Sequence, residues 1–282
     1  MATWVRPIPE LWPSIEKASG WAISDRRLPI MSFVVGADAY DRFMGRYSAP
    51  LAPAFADFAA LVEGLRVLDV GCGPGALTDQ LVRRVGPAAV AAVDPSESFV
   101  TAAQERYPGV DVRQAKAEKL PFEDGIFDAT LAQLVVHFME EPVVGLREMA
   151  RVTRLGGVVA ACVWDHDGGE GPLSLFWAAA RDLDPDVKDE SRLPGARSGH
   201  LAELLRESGL HSIEDSALLV TVEHPSFDDW WEPFTLGVGP AGSYVANLDV
   251  SQRERLRSRC RAMLPSAPFS LTARAWAARG LA

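Results

Sequence analysis

Short apolar runs alternate with amphipathic segments through the middle of the chain. Five of these runs are rich in valine and alanine: residues 66–70, 89–94, 110–115, 127–133 and 157–164. Each has the length of a strand, and continuously apolar strands that alternate with helices indicate a parallel sheet covered on both faces. The pattern therefore predicts a doubly wound α/β domain, in which ligands bind at the carboxyl ends of the strands.

The pattern is different at both ends of this region. Residues 1–36 contain several prolines and no sustained period, which predicts an irregular leader. Apolar residues in 40–47 then have the spacing of one helix face. We therefore assign residues 37–282 to the domain.

Two stretches interrupt the alternation after the fifth strand, at about residues 165–199 and 225–267. Between them, residues 200–210 have the pattern of an amphipathic helix, and residues 211–224 that of a strand. The segment that begins at Phe269 fits a last strand or a helix. Because insertions at the strand-end face of such domains often carry function, we predict that the two stretches form a helical cap over the site.

Charge disfavours a nucleic-acid partner. The 282 residues carry a formal net charge of −10, which repels a phosphate backbone. The arginine-rich stretch 253–261 winds around a predicted helix that Asp249 and Gln252 cap, so we interpret it as a solvated helix face.

Composition also limits where the protein acts and what it binds. No apolar run approaches the roughly 18 residues that a membrane helix needs. The 3 cysteines, Cys72, Cys162 and Cys260, are too far apart for a disulfide framework or a metal site. We therefore expect a cytoplasmic protein with neither a metal nor a membrane partner. A homodimer is compatible with the composition.

The stretch "VLDVGCGPGALT" places three glycines between the first strand and the next helix. Glycines let the backbone turn sharply and approach a ligand closely. The spacing G-x-G-x-G differs from the dinucleotide fingerprint G-x-G-x-x-G. Asp69 precedes the first glycine by two residues, where a carboxylate repels a diphosphate but accepts hydrogen bonds from an ammonium group. The turn therefore favours a ligand with a cationic amine.

Two further acidic residues indicate which other groups this ligand contains. Asp94 ends the second strand, where a carboxylate can accept both hydroxyls of a ribose. Glu118 follows the third strand and can accept a hydrogen bond from an exocyclic amino group such as that of adenine. Each of the three acids could instead be a local cap or a solvated side chain. Taken together, the three acids indicate a ligand with an amine, a ribose and an adenine, which are parts of S-adenosylmethionine.

With these motifs the sequence resembles the class I S-adenosylmethionine-dependent methyltransferases. Within that family it is similar to the small-molecule enzymes of type 11, related to ubiquinone and menaquinone methyltransferases. The resemblance covers about residues 37–165, and its segments stand in family order: "VLDVGCGPG", "VDPS", "AEKLPFEDGIFD", "LAQLVVHFMEEP" and "EMARVTRLGG". It implies a Rossmann-like sheet of seven strands with the last strand antiparallel.

The resemblance also implies which residues hold the cofactor. The glycine turn would contact the methionine and ribose, Asp94 the ribose, Ala117 and Glu118 the adenine, and Gln133 the methionine. An amino-terminal helix would close over the cofactor, with Arg46 as a clamp for its carboxylate. The complete predicted set is Tyr40, Arg46, Asp69, Gly71, Cys72, Gly73, Gly75, Asp94, Pro95, Ser96, Ala117, Glu118 and Gln133. Cys72 is expected to be chemically inert filler.

Methyl transfer from a sulfonium is an in-line displacement, so positioning of the acceptor is the main requirement. A hydroxyl or protonated amine acceptor would also need a base. His137, just beyond the fourth strand, is the leading candidate for catalysis, and His166 the second. A purely structural His137 explains the sequence equally well.

The predicted cap is rich in aromatic residues, which suit a planar acceptor and a sulfonium cation. We expect His137, Trp164, Trp230, Trp231 and Phe234 to line the acceptor pocket. The predicted function is methyl transfer to a small aromatic or apolar metabolite. Two alternatives stay open: a nicotinamide-dependent oxidoreductase, and a non-catalytic protein that binds S-adenosylmethionine.

Overall fold

A seven-stranded sheet forms the centre of the computed structural model, which describes residues 36–282. Residues 1–35 of the predicted leader lie outside the described residues. The strands are β1 (Val67–Val70), β2 (Val90–Asp94), β3 (Asp111–Gln114), β4 (Phe127–Gln133), β5 (Thr153–Trp164), β6 (His211–His224) and β7 (Phe269–Leu281). Their order in the sheet is β3-β2-β1-β4-β5-β7-β6.

Strand direction agrees with the predicted sheet. The pairs β1–β2, β1–β4, β2–β3 and β4–β5 are parallel, whereas β7 runs antiparallel to both of its neighbours, β5 and β6. This confirms the doubly wound α/β fold with an antiparallel last strand. It also resolves the segment from Phe269 as a strand and not a helix.

The helices follow the predicted alternation. The helices are α1 (Ala37–Tyr40), α2 (Arg46–Phe58), α3 (Ala76–Val85), α4 (Glu97–Arg106), α5 (Pro142–Val152), α6 (Ser174–Leu183), α7 (His200–Glu207), α8 (Phe227–Trp231), α9 (Gly239–Asn247) and α10 (Val250–Met263). Within residues 36–282, none of them is long and apolar enough to cross a membrane.

Apolar side chains cover both faces of the sheet. On one face α2 and α3 pack Leu51, Phe55 and Leu81 against the strands, and on the other α5 and α7 pack Leu146 and Leu205. Burial on both faces explains why the central strands β1, β2 and β4 are apolar nearly throughout, whereas the edge strand β3 has a single buried residue, Val112.

β5 begins four residues before the predicted start at residue 157. Thr153 pairs with Phe127, and the register then shifts before Ala129 pairs with Val158. Gly156 has a φ of 74° in this irregular stretch. A strand with a shifted register does not show a regular apolar pattern, so the sequence does not reveal its first residues.

The two predicted cap stretches contain α6 and α8–α10, which share a separate apolar core. Asp249 and Gln252 form the predicted capping box of α10. The arginines of α10 are largely engaged within the cap: Arg257 and Arg261 pair with Asp228, and Arg259 pairs with Asp182. These contacts tie α10 to α8 and α6.

Candidate functional site

The glycine turn between β1 and α3 is held in left-handed backbone geometry. Gly71, Gly73 and Gly75 have φ angles of 73°, 53° and 103°. A Cβ on Gly71 would lie 2.4 Å from Val135 Cγ2, and one on Gly75 would lie 2.2 Å from Tyr107 Cε2. Packing therefore requires these two glycines. A Cβ on Gly73 would have no heavy atom within 4 Å, so Gly73 borders open space that a ligand can occupy.

Asp69 lies under this turn and is 1% exposed. Its Oδ2 accepts a hydrogen bond of 2.7 Å from the Thr78 hydroxyl. Its Oδ1 is buried and accepts no hydrogen bond from the described residues. Burial, and secondarily the charge of Asp94, raises the pKa of Asp69 to about 7, although the Thr78 hydrogen bonds oppose the shift.

Asp94, at the end of β2, already has local backbone partners. Its Oδ1 accepts from the Ser96 N–H and its Oδ2 from the Gly73 N–H, both at 2.9 Å. Burial raises the pKa of Asp94 to about 6, and these two hydrogen bonds oppose that shift. The carboxylate therefore fixes the glycine turn against β2. Each oxygen keeps a second lone pair for a ligand hydroxyl.

Glu118 and its neighbours lie beside the ends of β2 and β3. Glu118 Oε1 accepts hydrogen bonds from the backbone N–H groups of Glu140 and Glu141, at 2.7 and 3.3 Å. Ala117 is buried in the core. Pro95 is exposed and accepts a hydrogen bond from Gln114 through its carbonyl. Both side-chain contacts of Glu118 use one oxygen, which leaves the other for an amino group.

Gln133 ends β4, beside β1, and is 8% exposed. Its Nε2 donates to the Ser48 carbonyl at 3.0 Å, while its Oε1 is buried without a hydrogen-bond donor among the described residues. Asp69 and Gln133 thus contribute unpaired, buried acceptor atoms from two adjacent strands. Because buried acceptors without donors are costly, this pair fits a ligand that brings N–H donors, as an ammonium group does.

The amino-terminal helical segment brings its predicted residues to different places. Tyr40 packs edge-on against Phe99, with ring centroids 5.4 Å apart, and burial followed by the nearby Asp94 raises the pKa of its hydroxyl. Arg46 pairs with Asp229 of α8, at 2.9 Å, and also donates to its backbone carbonyl. The structure therefore brings Tyr40 near the cofactor residues. It places the predicted clamp, Arg46, on a carboxylate of the cap.

A cavity of about 30 Å³ lies between the strand ends, this amino-terminal segment and the cap. Its walls consist of Tyr40, Phe43, Met44, Leu134, His137, Phe138, Trp164, His166, Leu173, Glu190, Val238, Gly239 and Pro240. Phe43 and Met44 belong to a π-helical turn, Asp41–Gly45, between α1 and α2. Such turns are frequent at functional sites.

His137 is 5% exposed and lines this cavity. Its Nδ1 is buried without a hydrogen-bond partner among the described residues, and so is Nε2 of His166. The two ring centroids are 5.8 Å apart. Burial, and secondarily His166, lowers the pKa of His137 well below 6.5, so its imidazole is neutral at neutral pH.

The predicted aromatic wall is divided between the cavity and the cap. Trp164 lines the cavity and donates its indole N–H to Met44 Sδ at 3.2 Å. Trp230, Trp231 and Phe234 are instead buried in the cap core, where Phe234 stacks on Phe176 with centroids 4.5 Å apart. A five-residue α8 followed by a tight 3-10 turn directs these side chains inward, which corrects their predicted place on the pocket wall.

Cys72 is 6% exposed, and burial raises the pKa of its thiol well above its usual value. This geometry agrees with an inert thiol. Within residues 36–282, no group of three or more histidine, cysteine or acidic side chains is arranged to hold a metal ion.

Two features of the site escape sequence reasoning. Glu190 reaches the cavity from the loop between α6 and α7. A hydrogen-bonded network of Arg46, Tyr47, His224 and Asp229 joins α2 to β6 and α8. Both depend on contacts between residues far apart in the chain, and neither leaves a local pattern.

Comparison with known proteins places this site in a family. Residues 68–161 match the family described as "Methyltransferase domain". An uncharacterized methyltransferase of Mycobacterium tuberculosis is 35% identical over 171 residues, which are 60% of this chain and 67% of the relative. A probable phthiotriol/phenolphthiotriol dimycocerosates methyltransferase of Mycobacterium ulcerans is 41% identical over 101 residues, which are 35% of this chain but only 39% of the relative.

A solved structure has the same fold. The YcgJ protein from Bacillus subtilis superposes with a TM-score of 0.54 at 18% identity, covering 82% of this chain and 97% of that protein. The chain belongs to the class I S-adenosylmethionine-dependent methyltransferases. This membership removes the nicotinamide-dependent oxidoreductase from the alternatives.

Proposed function

We propose that this protein transfers a methyl group from S-adenosylmethionine to a small aromatic or apolar acceptor held beneath the helical cap. The observation that carries the proposal is the pair of unpaired, buried acceptors, Asp69 Oδ1 and Gln133 Oε1, on adjacent strands beside an aromatic cavity. A diphosphate has no hydrogen-bond donors to offer these two oxygens, whereas an amino group has N–H donors.

The residues present fit this cofactor in separate roles. Asp69 and Gln133 would accept hydrogen bonds from the amino group, Asp94 would hold the ribose through its remaining lone pairs, and Glu118 would accept from the adenine amino group. Gly73 leaves room for the backbone to approach the ligand closely. When bound, the cofactor supplies an electrophilic methyl group on a positively charged sulfur.

His137 would serve as hydrogen-bond acceptor and base for an acceptor hydroxyl. Its imidazole is neutral, since burial lowers its pKa, and it lies on the cavity wall. A low pKa makes a weak base, so its contribution would consist largely of orienting the nucleophile. His166, with its unpaired Nε2, would receive or share the released proton.

The walls of the cavity support a small, planar or apolar acceptor. Tyr40, Phe43, Phe138 and Trp164 contribute four aromatic rings. A cavity of about 30 Å³ has room for little more than a water molecule, so the amino-terminal segment or the cap must move before an acceptor enters. The Mycobacterium ulcerans relative aligns with only 35% of this chain, so its named acceptors are not carried over.

A screen of small aromatic and quinone-like acceptors with a methyl-labelled donor tests the proposal. Mass spectrometry would read the labelled product, with the His137→Asn protein as a matched control. The proposal expects label in at least one acceptor and at least a tenfold lower rate for the variant. A protein that binds S-adenosylhomocysteine but labels no acceptor in the screen would support the non-catalytic alternative.

A further inference from the structure

Glu190 is the only carboxylate among the described residues that line the cavity. It lies in the loop between α6 and α7 and is 3% exposed, whereas the residues on either side of it, from Val187 to Leu193, are exposed or half-buried. The Arg181–Asp189 ion pair and the Leu193 N–H, which donates to the Glu190 carbonyl, hold the loop in place. The fold therefore directs one acidic side chain from the cap into the acceptor site.

Among the described residues, this carboxylate has one hydrogen-bond partner and no cationic partner. The Trp177 indole N–H donates to Glu190 Oε2 at 2.9 Å, and the other oxygen accepts no hydrogen bond from the described residues. No lysine, arginine or histidine in residues 36–282 forms an ion pair with it. Buried charges in proteins are normally paired, because their desolvation is costly.

The surroundings of Glu190 favour a cationic partner. The adjacent walls are aromatic, from Tyr40, Phe43 and Trp164, and aromatic faces attract cations. His137 does not supply a positive charge, because its imidazole is neutral. The whole chain carries a net charge of −10, which attracts cations to its surface.

We propose that Glu190 pairs with a protonated amine of the methyl acceptor, so that the enzyme selects aromatic or apolar amines. This inference rests on the proposed function. The amine is a recognition group: while it keeps its proton it has no lone pair, so the methyl group goes to another atom of the acceptor, beside His137. Glu190 is thus a specificity-determining residue of the cap.

Binding of two probes that differ only in the recognition group tests this assignment. Phenethylamine and phenethyl alcohol have the same ring and chain length, but only the amine is cationic at pH 7. Their affinities would be measured by ligand-observed NMR with S-adenosylhomocysteine present, for the wild type, Glu190→Gln and Asp186→Asn. Asp186 is exposed in the same loop, so its variant loses the same unit of charge outside the cavity.

We expect the wild type and Asp186→Asn to bind the amine at least tenfold more tightly than the alcohol, and Glu190→Gln to reduce this ratio to about twofold. Calorimetric binding of S-adenosylhomocysteine to each variant checks that the site is folded. Equal affinity of the wild type for both probes, or an unchanged ratio in Glu190→Gln, would overturn the inference and leave the proposed function standing. A wild type that does not bind S-adenosylhomocysteine would overturn both.

Discussion

Asp69 combines a proposed binding role with a cost to stability. It is buried with one hydroxyl partner, and its pKa rises to about 7 from 3.8. For a carboxyl whose folded-state pKa is raised, the stabilising contribution is complete below pH 3.8 and is lost as the pH rises through about 7. The protein without ligand therefore carries an unfavourable charge at neutral pH, which an ammonium group would offset.

We predict that Asp69→Asn stabilises the ligand-free protein by about 1 to 4 kcal/mol at pH 8 and by less than half as much at pH 5. The amide keeps an acceptor for Thr78 but carries no charge to hold a cationic amine. Denaturant unfolding at both pH values measures the stability. Calorimetry would show at least tenfold weaker binding of S-adenosylhomocysteine. A variant that is destabilised at pH 8, or binds as tightly as the wild type, would contradict this account of Asp69.

His137 should affect the chemical step and not cofactor binding. Replacement by Asn removes a neutral imidazole from the cavity wall, and we predict a loss of kcat of about tenfold or more for a hydroxyl acceptor, because a weak base contributes less than the usual range of general-base catalysis. Because its pKa is well below 6.5, kcat should stay level between pH 8 and pH 6.5. The affinity for S-adenosylhomocysteine should change less than threefold. A steep fall of wild-type kcat near pH 7 would point to a different base.

The site residues that can be predicted from the sequence lie at positions set by local patterns, and the others do not. Asp69 and Asp94 follow from their positions beside a glycine turn and at a strand end, because adjacent strands bring such positions together. Glu190 and His224 depend on loops and helices that fold back from distant parts of the chain. Their burial and partners are properties of packing, which no local period encodes.

At the level of elements, the glycine turn contains one glycine that packing requires, Gly75, and one that we propose for ligand binding, Gly73. Gly75→Ala would place a methyl group 2.2 Å from Tyr107 Cε2 at a φ of 103°, whereas Gly73→Ala meets no neighbour and has a φ of 53°. We predict that Gly75→Ala destabilises the protein by about 1 to 3 kcal/mol. Gly73→Ala should cost about 1 kcal/mol or less in stability but weaken binding of S-adenosylhomocysteine at least tenfold.

Unfolding and calorimetry on this matched pair separate the two roles. A stable Gly73→Ala protein with unchanged cofactor affinity would show that the open space at the turn is not the ligand site. A Gly75→Ala protein as stable as the wild type would show that the turn repacks around Tyr107.

The network at Tyr47 joins α2 to β6 and α8. His224 is fully buried; its Nε2 lies 3.0 Å from the Tyr47 hydroxyl, and its Nδ1 lies 3.1 Å from Asp229 Oδ2. The neutral tautomer with Nδ1–H satisfies both contacts, since Tyr47 donates and Asp229 accepts. Burial lowers the pKa of His224, so the stability that it contributes is present above pH 6.5 and is lost as the pH falls.

We predict that Tyr47→Phe lowers the free energy of unfolding by about 1 to 3 kcal/mol, because it leaves a buried nitrogen without its donor. Tyr244→Phe is a suitable control: its ring packs on Phe176 and its hydroxyl makes no hydrogen bond with a described residue. That variant should differ from the wild type by less than about 0.5 kcal/mol. Equal effects of the two substitutions in urea unfolding would show that the network contributes no stability.

The elements themselves were largely predictable. Strands β1 to β4 and β6 appear as apolar or alternating runs within a residue or so of their limits. Burial explains this for β1, β2 and β4, whereas β3 and β6 are largely exposed. β7 was ambiguous, since its small residues fit a helix as well. The direction of Trp230 and Trp231 depends on the shortness of α8, which the sequence does not reveal.

In the molecule as a whole, the sheet and the cap contribute different groups of predicted site residues. The sheet brings the predicted cofactor residues to its strand ends, while the cap has its own aromatic core and contributes Glu190 to the cavity. We therefore expect Trp230 and Trp231 to affect acceptor binding through the packing of the cap and not by direct contact. Such a division would allow one cofactor site to serve different acceptors.

The central claim is that the strand ends hold a cofactor with an amino group and not a dinucleotide. Calorimetric titration of the purified chain with S-adenosylhomocysteine and, separately, with NADH tests it most directly, with Asp69→Asn as the matched variant. We predict saturable one-to-one binding of S-adenosylhomocysteine to the wild type, at least tenfold weaker binding to the variant, and no binding of NADH by either. Binding of NADH without binding of S-adenosylhomocysteine would contradict it.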